Sequence, residues 1–185
     1  MVHVKIAARP RLIPAANRPN RDRMSADAPP SPAAPAAWPD LAGRLTDDGR
    51  GHVLPVRIYY EDTDFSGVVY HASHLRFFER GRTDFLRLLG IGHAALAAGD
   101  HGEALAFAVG RIAVDYRAAA RIDDVVEVET RLVEVGGARI VLDQRLVRGA
   151  ALVAAARVTV ALVGPDGRAR RLPAALRQAL LAGAA

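Results

Sequence analysis

The chain has 185 residues, 51% of them hydrophobic, a formal net charge of +5 and no cysteine. That length suits one domain with a sizeable core, and the missing cysteines exclude a disulfide framework, a thiolate nucleophile and a thiolate metal site. No apolar run approaches the roughly 18 to 20 residues of a membrane-spanning helix, and the N-terminus lacks the apolar segment of a secretory signal, so the expectation is a cytoplasmic protein without an integral membrane segment.

The positive charge is local. Lys5, Arg9, Arg11, Arg18, Arg21 and Arg23, set against Asp22, account for all of it, and residues 24–185 are formally neutral. A nucleic-acid binder needs its charge on a folded face, so no nucleic-acid partner is expected. Pro10, Pro14, Pro19, Pro29, Pro30, Pro32, Pro35 and Pro39 forbid a continuous helix in the same region. Residues 1–50 therefore read as a disordered basic extension rich in Pro, Ala and Arg, and residues 51–185 as the folded domain. Met24 is an alternative translation start, because what precedes it is charge without pattern.

The folded part opens with HVLPVRIYY, residues 52–60, an alternating run of β-branched and aromatic residues that predicts a strand with one of Tyr59 and Tyr60 facing the core. Glu61, Asp62, Thr63, Asp64 and Gly67 break it. From His71 the period turns helical, with Leu75, Phe78, Phe85, Leu86 and Leu89 on one stripe, Arg82 interrupting it and Gly90 ending it. A short second helix is expected from His93 to Ala98, closed by Gly99. Four strand-like runs follow at 104–120, 123–135, 139–150 and 151–164, separated by Arg121-Ile122-Asp123, Gly136-Gly137 and a turn near Gly149. Pro165-Asp166-Gly167 ends the last of them, and residues 173–181 predict a C-terminal helix. This order predicts an α+β domain in which a five-stranded antiparallel sheet wraps one long helix.

Within about a dozen residues the segment after the first strand sets an acidic cluster, a glycine turn, a histidine and a helix start. A carboxylate beside the backbone N–H groups of a helix N-terminus is suited to attack on a carbonyl. An isolated Asp-Thr-Asp would be turn and capping residues. Joined to Gly67, Tyr70 and His71 at these spacings it points to a site, with Asp64 as the reactive group and Asp62 mostly structural. His71 and His74 share one helix face at a spacing that metal sites use, but they lack a third ligand and no metal is expected. Glu79 stands among Arg76, Arg80 and Arg82, where ion pairing three residues apart along the helix accounts for it more simply than the alternative, a catalytic carboxylate.

Residues 59–64 (YYEDTD), 67–72 (GVVYHA), Glu79-Arg80, Arg82-Thr83, Tyr116-Arg117-Ala118 and Arg121-Ile122-Asp123-Asp124 carry a family resemblance. The chain resembles the hotdog-fold thioesterases of the 4-hydroxybenzoyl-CoA thioesterase group, in particular the Tol-Pal-associated acyl-CoA thioesterases linked to lipid metabolism. The resemblance implies a hotdog fold and hydrolysis of acyl-CoA thioesters, with Asp64 as nucleophile or as general base on water, two alternatives it leaves open. It sets the thioester oxygen against the backbone N–H of His71, with Gly67 bending the chain toward the ligand and Val69, Tyr70 and His74 on the substrate. Arg117 and Arg121 are its candidates for the coenzyme A phosphates, with Arg168, Arg170 and Arg171 as further ones, and Leu75, Phe78 and Phe107 are candidates for an acyl pocket against a neighbouring subunit. It implies no cofactor, coenzyme A being part of the substrate, a homodimer or homotetramer, and acyl carrier protein as a further donor. Phe65-Ser66 stands where relatives have small residues, and His74 where an aromatic is usual, both near the expected pocket mouth, so the acyl preference is open. A non-catalytic acyl-CoA-binding module is the alternative reading. A hotdog dehydratase fits the carboxylate cluster poorly.

Overall fold

The computed structural model describes residues 41–182. Six strands form one antiparallel sheet: β1 (Arg44–Leu45), β2 (Gly51–Arg57), β3 (Ala106–Tyr116), β4 (Val125–Val135), β5 (Arg139–Arg148) and β6 (Ala151–Val163), in the spatial order β1-β2-β4-β5-β6-β3. Between β2 and β3 run the long helix α1 (His71–Leu88) and the short α2 (His93–Ala98), and α3 (Ala174–Ala182) follows β6. From β2 onward the predicted order of strands and α-helices is reproduced. Among the described residues no helix is long and apolar enough to cross a membrane.

Alternation builds the sheet's inner face: Leu54 and Val56 on β2, Val126 and Val128 on β4, and Ile140 and Leu142 on β5 are buried, while their strand neighbours are less so. Against this face α1 buries Phe77, Phe78, Phe85 and Leu86. The stripe differs from the predicted one, for Leu75 is 37% exposed and Phe77 takes its place. Helix and sheet meet closely at Gly81, where a Cβ would lie 2.6 Å from Val128 Cγ1 and 3.0 Å from Thr130 Oγ1. The next residue, the half-buried Arg82, donates to Gln144 Oε1 at 2.9 Å, and Gln144 Nε2 donates to the Phe78 carbonyl and to Thr130 Oγ1, both at 2.8 Å. Arg82 thus belongs to the helix–sheet interface, with its polar end satisfied there.

Two local expectations are corrected. Tyr59 and Tyr60 are both exposed, because the Asp62 carboxylate accepts the Tyr59 N–H at 2.9 Å and turns the chain into a single 3-10 turn over Tyr60–Asp62; Ile58 is the residue that enters the core. Residues 41–50, counted by composition with the extension, contain β1 and a tight turn. The Thr46 carbonyl accepts the Gly49 N–H at 2.8 Å, and Asp48 pairs with Arg131 of β4 at 2.7 Å. This adds a sixth strand to the expected five. The expectation for residues 1–40 lies outside the described residues. Pro55 sits exposed in mid-strand, where, among the described residues, the pairing of β1 with His52 and Val53 has already ended.

Candidate active site

The loop between β2 and α1 is held at both ends by backbone bonds. The Asp64 N–H donates to the Val68 carbonyl at 3.1 Å, the Gly67 N–H to the Asp64 carbonyl at 2.9 Å, and Thr63 and Val69 form an antiparallel bridge. Gly67 has a φ of 73°, the left-handed region that this turn requires of it. The Tyr70 N–H then donates to the Asp62 carbonyl at 2.9 Å and starts α1 at His71. Tyr70, the N-cap residue, supplies no side-chain bond to the first turn, so the helix N-terminus carries no side-chain cap.

Asp64 sits in this loop with its carboxylate exposed. Its Oδ1 accepts two hydrogen bonds from Ser66, one from Oγ at 2.5 Å and one from the backbone N–H at 2.8 Å. The Ser66 hydroxyl, then its N–H, and more weakly the electrostatic influence of the His71 imidazole hold the Asp64 carboxyl below the usual carboxylate range. It is therefore ionised at neutral pH.

Residues distant in sequence converge on the same region. The Arg121 guanidinium donates to the Gly67 carbonyl at 3.2 Å, while Asp124 accepts the Arg121 N–H at 2.8 Å and pairs with Arg148 at 2.5 Å. Tyr116, at the end of β3, donates its hydroxyl to the His71 carbonyl at 3.1 Å. Asp64, Gly67, Tyr70, His71 and Arg121 are thus gathered by one loop, the helix start and the β3–β4 turn.

The remaining predicted residues are placed differently. The Val69 side chain is buried and its N–H is taken by the Ala120 carbonyl at 2.8 Å. His74 is buried, which corrects its expected place at a pocket mouth. Its Nδ1 lies 3.2 Å from the Tyr70 carbonyl and Tyr116 packs edge-on against the ring, with 5.1 Å between centroids. Burial pushes the His74 imidazole below its ordinary value. Arg117 is exposed and pairs with Asp115 at 3.5 Å. Of the further phosphate candidates, Arg170 is tied to Glu103 and Asp166.

Glu79 acts electrostatically on Arg82 but, among the described residues, makes no ion pair within 4.0 Å, and its Oε1 accepts the Thr83 hydroxyl at 2.7 Å. Glu79, Arg82, Thr83, Leu86, His93 and Phe107 line part of a cavity of about 100 Å³ between α1 and the sheet. Phe107 belongs to this cavity, whereas Phe78 is core and Leu75 faces outward. Sequence reasoning missed two contributors, Ser66 and the Tyr116 hydroxyl. The first was visible as a departure in the loop, but its partner was not. The second depends on β3 reaching α1.

One long helix lies against an antiparallel sheet, and Asp64 stands in the loop that leads into the uncapped start of that helix. Residues 59–180 match the thioesterase-like superfamily. The chain is 49% identical over 113 residues to an acyl-CoA thioesterase of Haemophilus influenzae, YbgC, covering 61% of this chain and 81% of the relative. It is 45% identical over 112 residues to the Escherichia coli acyl-CoA thioester hydrolase YbgC, covering 60% and 81%. A crystal structure of a probable thioesterase from Bartonella henselae superposes with a TM-score of 0.65 at 42% identity, covering 66% of this chain and 99% of that one. The chain belongs to the thioesterase-like superfamily and has its hotdog fold.

Proposed function

We propose that this protein hydrolyses acyl-CoA thioesters to a carboxylic acid and coenzyme A. The observation that carries the reading is the ionised Asp64 carboxylate, exposed beside the uncapped N-terminus of α1, in a chain related to acyl-CoA thioesterases. In this reading the His71 N–H receives the thioester oxygen, where an unsatisfied donor backed by the helix dipole stabilises a developing oxyanion. Asp64 either attacks the carbonyl carbon through an oxygen, expelling the thiolate and leaving a mixed anhydride for water to open, or takes a proton from the water that attacks. The thiolate leaves as the C–S bond breaks. A carboxylate held this acidic is a weak proton acceptor, so rate is gained from proximity and from polarisation of the carbonyl.

Arg121, already turned toward the loop, and the exposed Arg117 are the cations proposed for the phosphates of coenzyme A, with Gly67, Tyr70 and His71 along the thioester. The reading extends to acyl carrier protein as a second thiol donor, to a cytoplasmic, Tol-Pal-associated role in lipid metabolism, and to a homodimer or homotetramer. No cofactor takes part in it. The test is thiol release from short, aromatic and long-chain acyl-CoA substrates by the wild-type chain and by Asp64→Asn. The variant is expected to fold and to bind substrate while losing about 10²-fold or more in rate. Binding without thiol release by the wild-type chain would favour the non-catalytic acyl-CoA-binding module.

A further inference from the structure

Phe65 and Ser66 stand between Asp64 and Gly67, and their side chains go opposite ways. Phe65 stands fully in solvent. Ser66 turns back, so that its hydroxyl and its N–H both donate to one atom, Asp64 Oδ1, at 2.5 and 2.8 Å. We propose that Ser66 is a positioning residue for thioester hydrolysis: its two donors fix Asp64 Oδ1 and leave Oδ2 as the atom that meets the carbonyl carbon or the attacking water. The inference rests on Asp64 being the reactive carboxylate.

The geometry separates what any residue would do at this position from what serine adds. The N–H donor belongs to the backbone turn, which Gly67 closes onto the Asp64 carbonyl and Arg121 braces through the Gly67 carbonyl. It survives substitution. With that bond alone an exposed carboxylate keeps much of its rotation about the Cβ–Cγ bond, a broad torsion. A second donor on the same oxygen restricts it; both bonds are charge-assisted, and the hydroxyl's is the shorter. Because the hydroxyl bonds to the ionised form, it also keeps Asp64 unprotonated at lower pH. The function predicted for Ser66 is therefore double: orientation of the attacking oxygen and extension of activity toward acid.

Removal of the hydroxyl in Ser66→Ala is expected to lower kcat about threefold to tenfold with KM nearly unchanged, as for misalignment of a reacting group. The acid limb of the kcat profile is expected to move to higher pH. Ser66→Thr, which keeps the hydroxyl, is expected to restore both. Wild-type kcat and an unmoved acid limb in Ser66→Ala would overturn the inference, as would equal losses in Ser66→Ala and Ser66→Thr. A loss in Ser66→Ala as deep as that in Asp64→Asn would also overturn it, by making Ser66 itself the reacting group. Asp64→Asn separates the two levels. If it is inactive while Ser66→Ala is unimpaired, only the positioning role falls; if it turns over at the wild-type rate, the reading of Asp64 falls and the positioning role with it.

Discussion

His52 and His74 are buried histidines with opposite settings. His74 lies at the start of α1 with its Nδ1 facing the Tyr70 carbonyl. His52 stacks on Phe85, its Nε2 is 2.6 Å from the Ala42 carbonyl, and its Nδ1 has no hydrogen-bond partner among the described residues. Burial holds both rings below the ordinary 6.5. A base whose folded-state pKa is depressed binds more protons when unfolded, so stability is complete above 6.5 and declines as pH falls from there toward the folded-state value. Thermal unfolding followed across this range is expected to give a Tm that drops on acidification. His52→Gln keeps a side-chain donor for the Ala42 carbonyl without a titrating ring, and its slope should be shallower. An unchanged slope would remove His52 from the linkage.

At the scale of elements, α1 seats on β4 through Gly81. Alanine there gains about 1 kcal/mol of helix propensity, but the new Cβ would lie 2.6 Å from Val128 Cγ1 on a branched side chain that has little room to yield. Overpacking of this kind costs about 1 to 3 kcal/mol, so a net loss is expected for Gly81→Ala. Urea denaturation checks it, and adding Val128→Ala should make the double variant less destabilised than the sum of the two single changes. This contact also marks where the sequence stopped being legible. The strands and α1 could be read because their periods are local, and so could the Asp64-to-His71 segment, whose groups lie within one loop and one helix turn. Arg82 looked like an interruption because its partner Gln144 is 62 positions away. Arg121 and Tyr116 reach the loop and helix start from 54 and 45 positions away. β1, only two residues long, has no period to read and is set by the Asp48 and Gly49 turn and by pairing with β2.

For the molecule as a whole, the chemistry and the apolar space are apart within one chain. Asp64 lies in solvent at the start of α1, while the cavity beside Glu79 and Thr83 begins 8 to 12 residues further along, about 12 to 18 Å by helical rise. Among the described residues β3 pairs only with β6, and it exposes Val109 and Tyr116 at 49% and 48%. A long unpaired edge of this kind is normally covered, and a two-fold partner covers both copies at once. In the proposed homo-oligomer a second subunit would cover the exposed site and supply an apolar wall. Specific activity is then expected to fall on dilution in step with dissociation measured by sedimentation velocity. Ala113→Glu places a carboxylate on the open edge strand, away from the cavity lining, and should shift the chain toward monomer while lowering turnover in parallel. A wild-type protein that sediments as a monomer at every concentration and retains full turnover would refute the need for a partner, and the acyl group would then have to be accommodated by the Asp64 loop and α1 of a single chain.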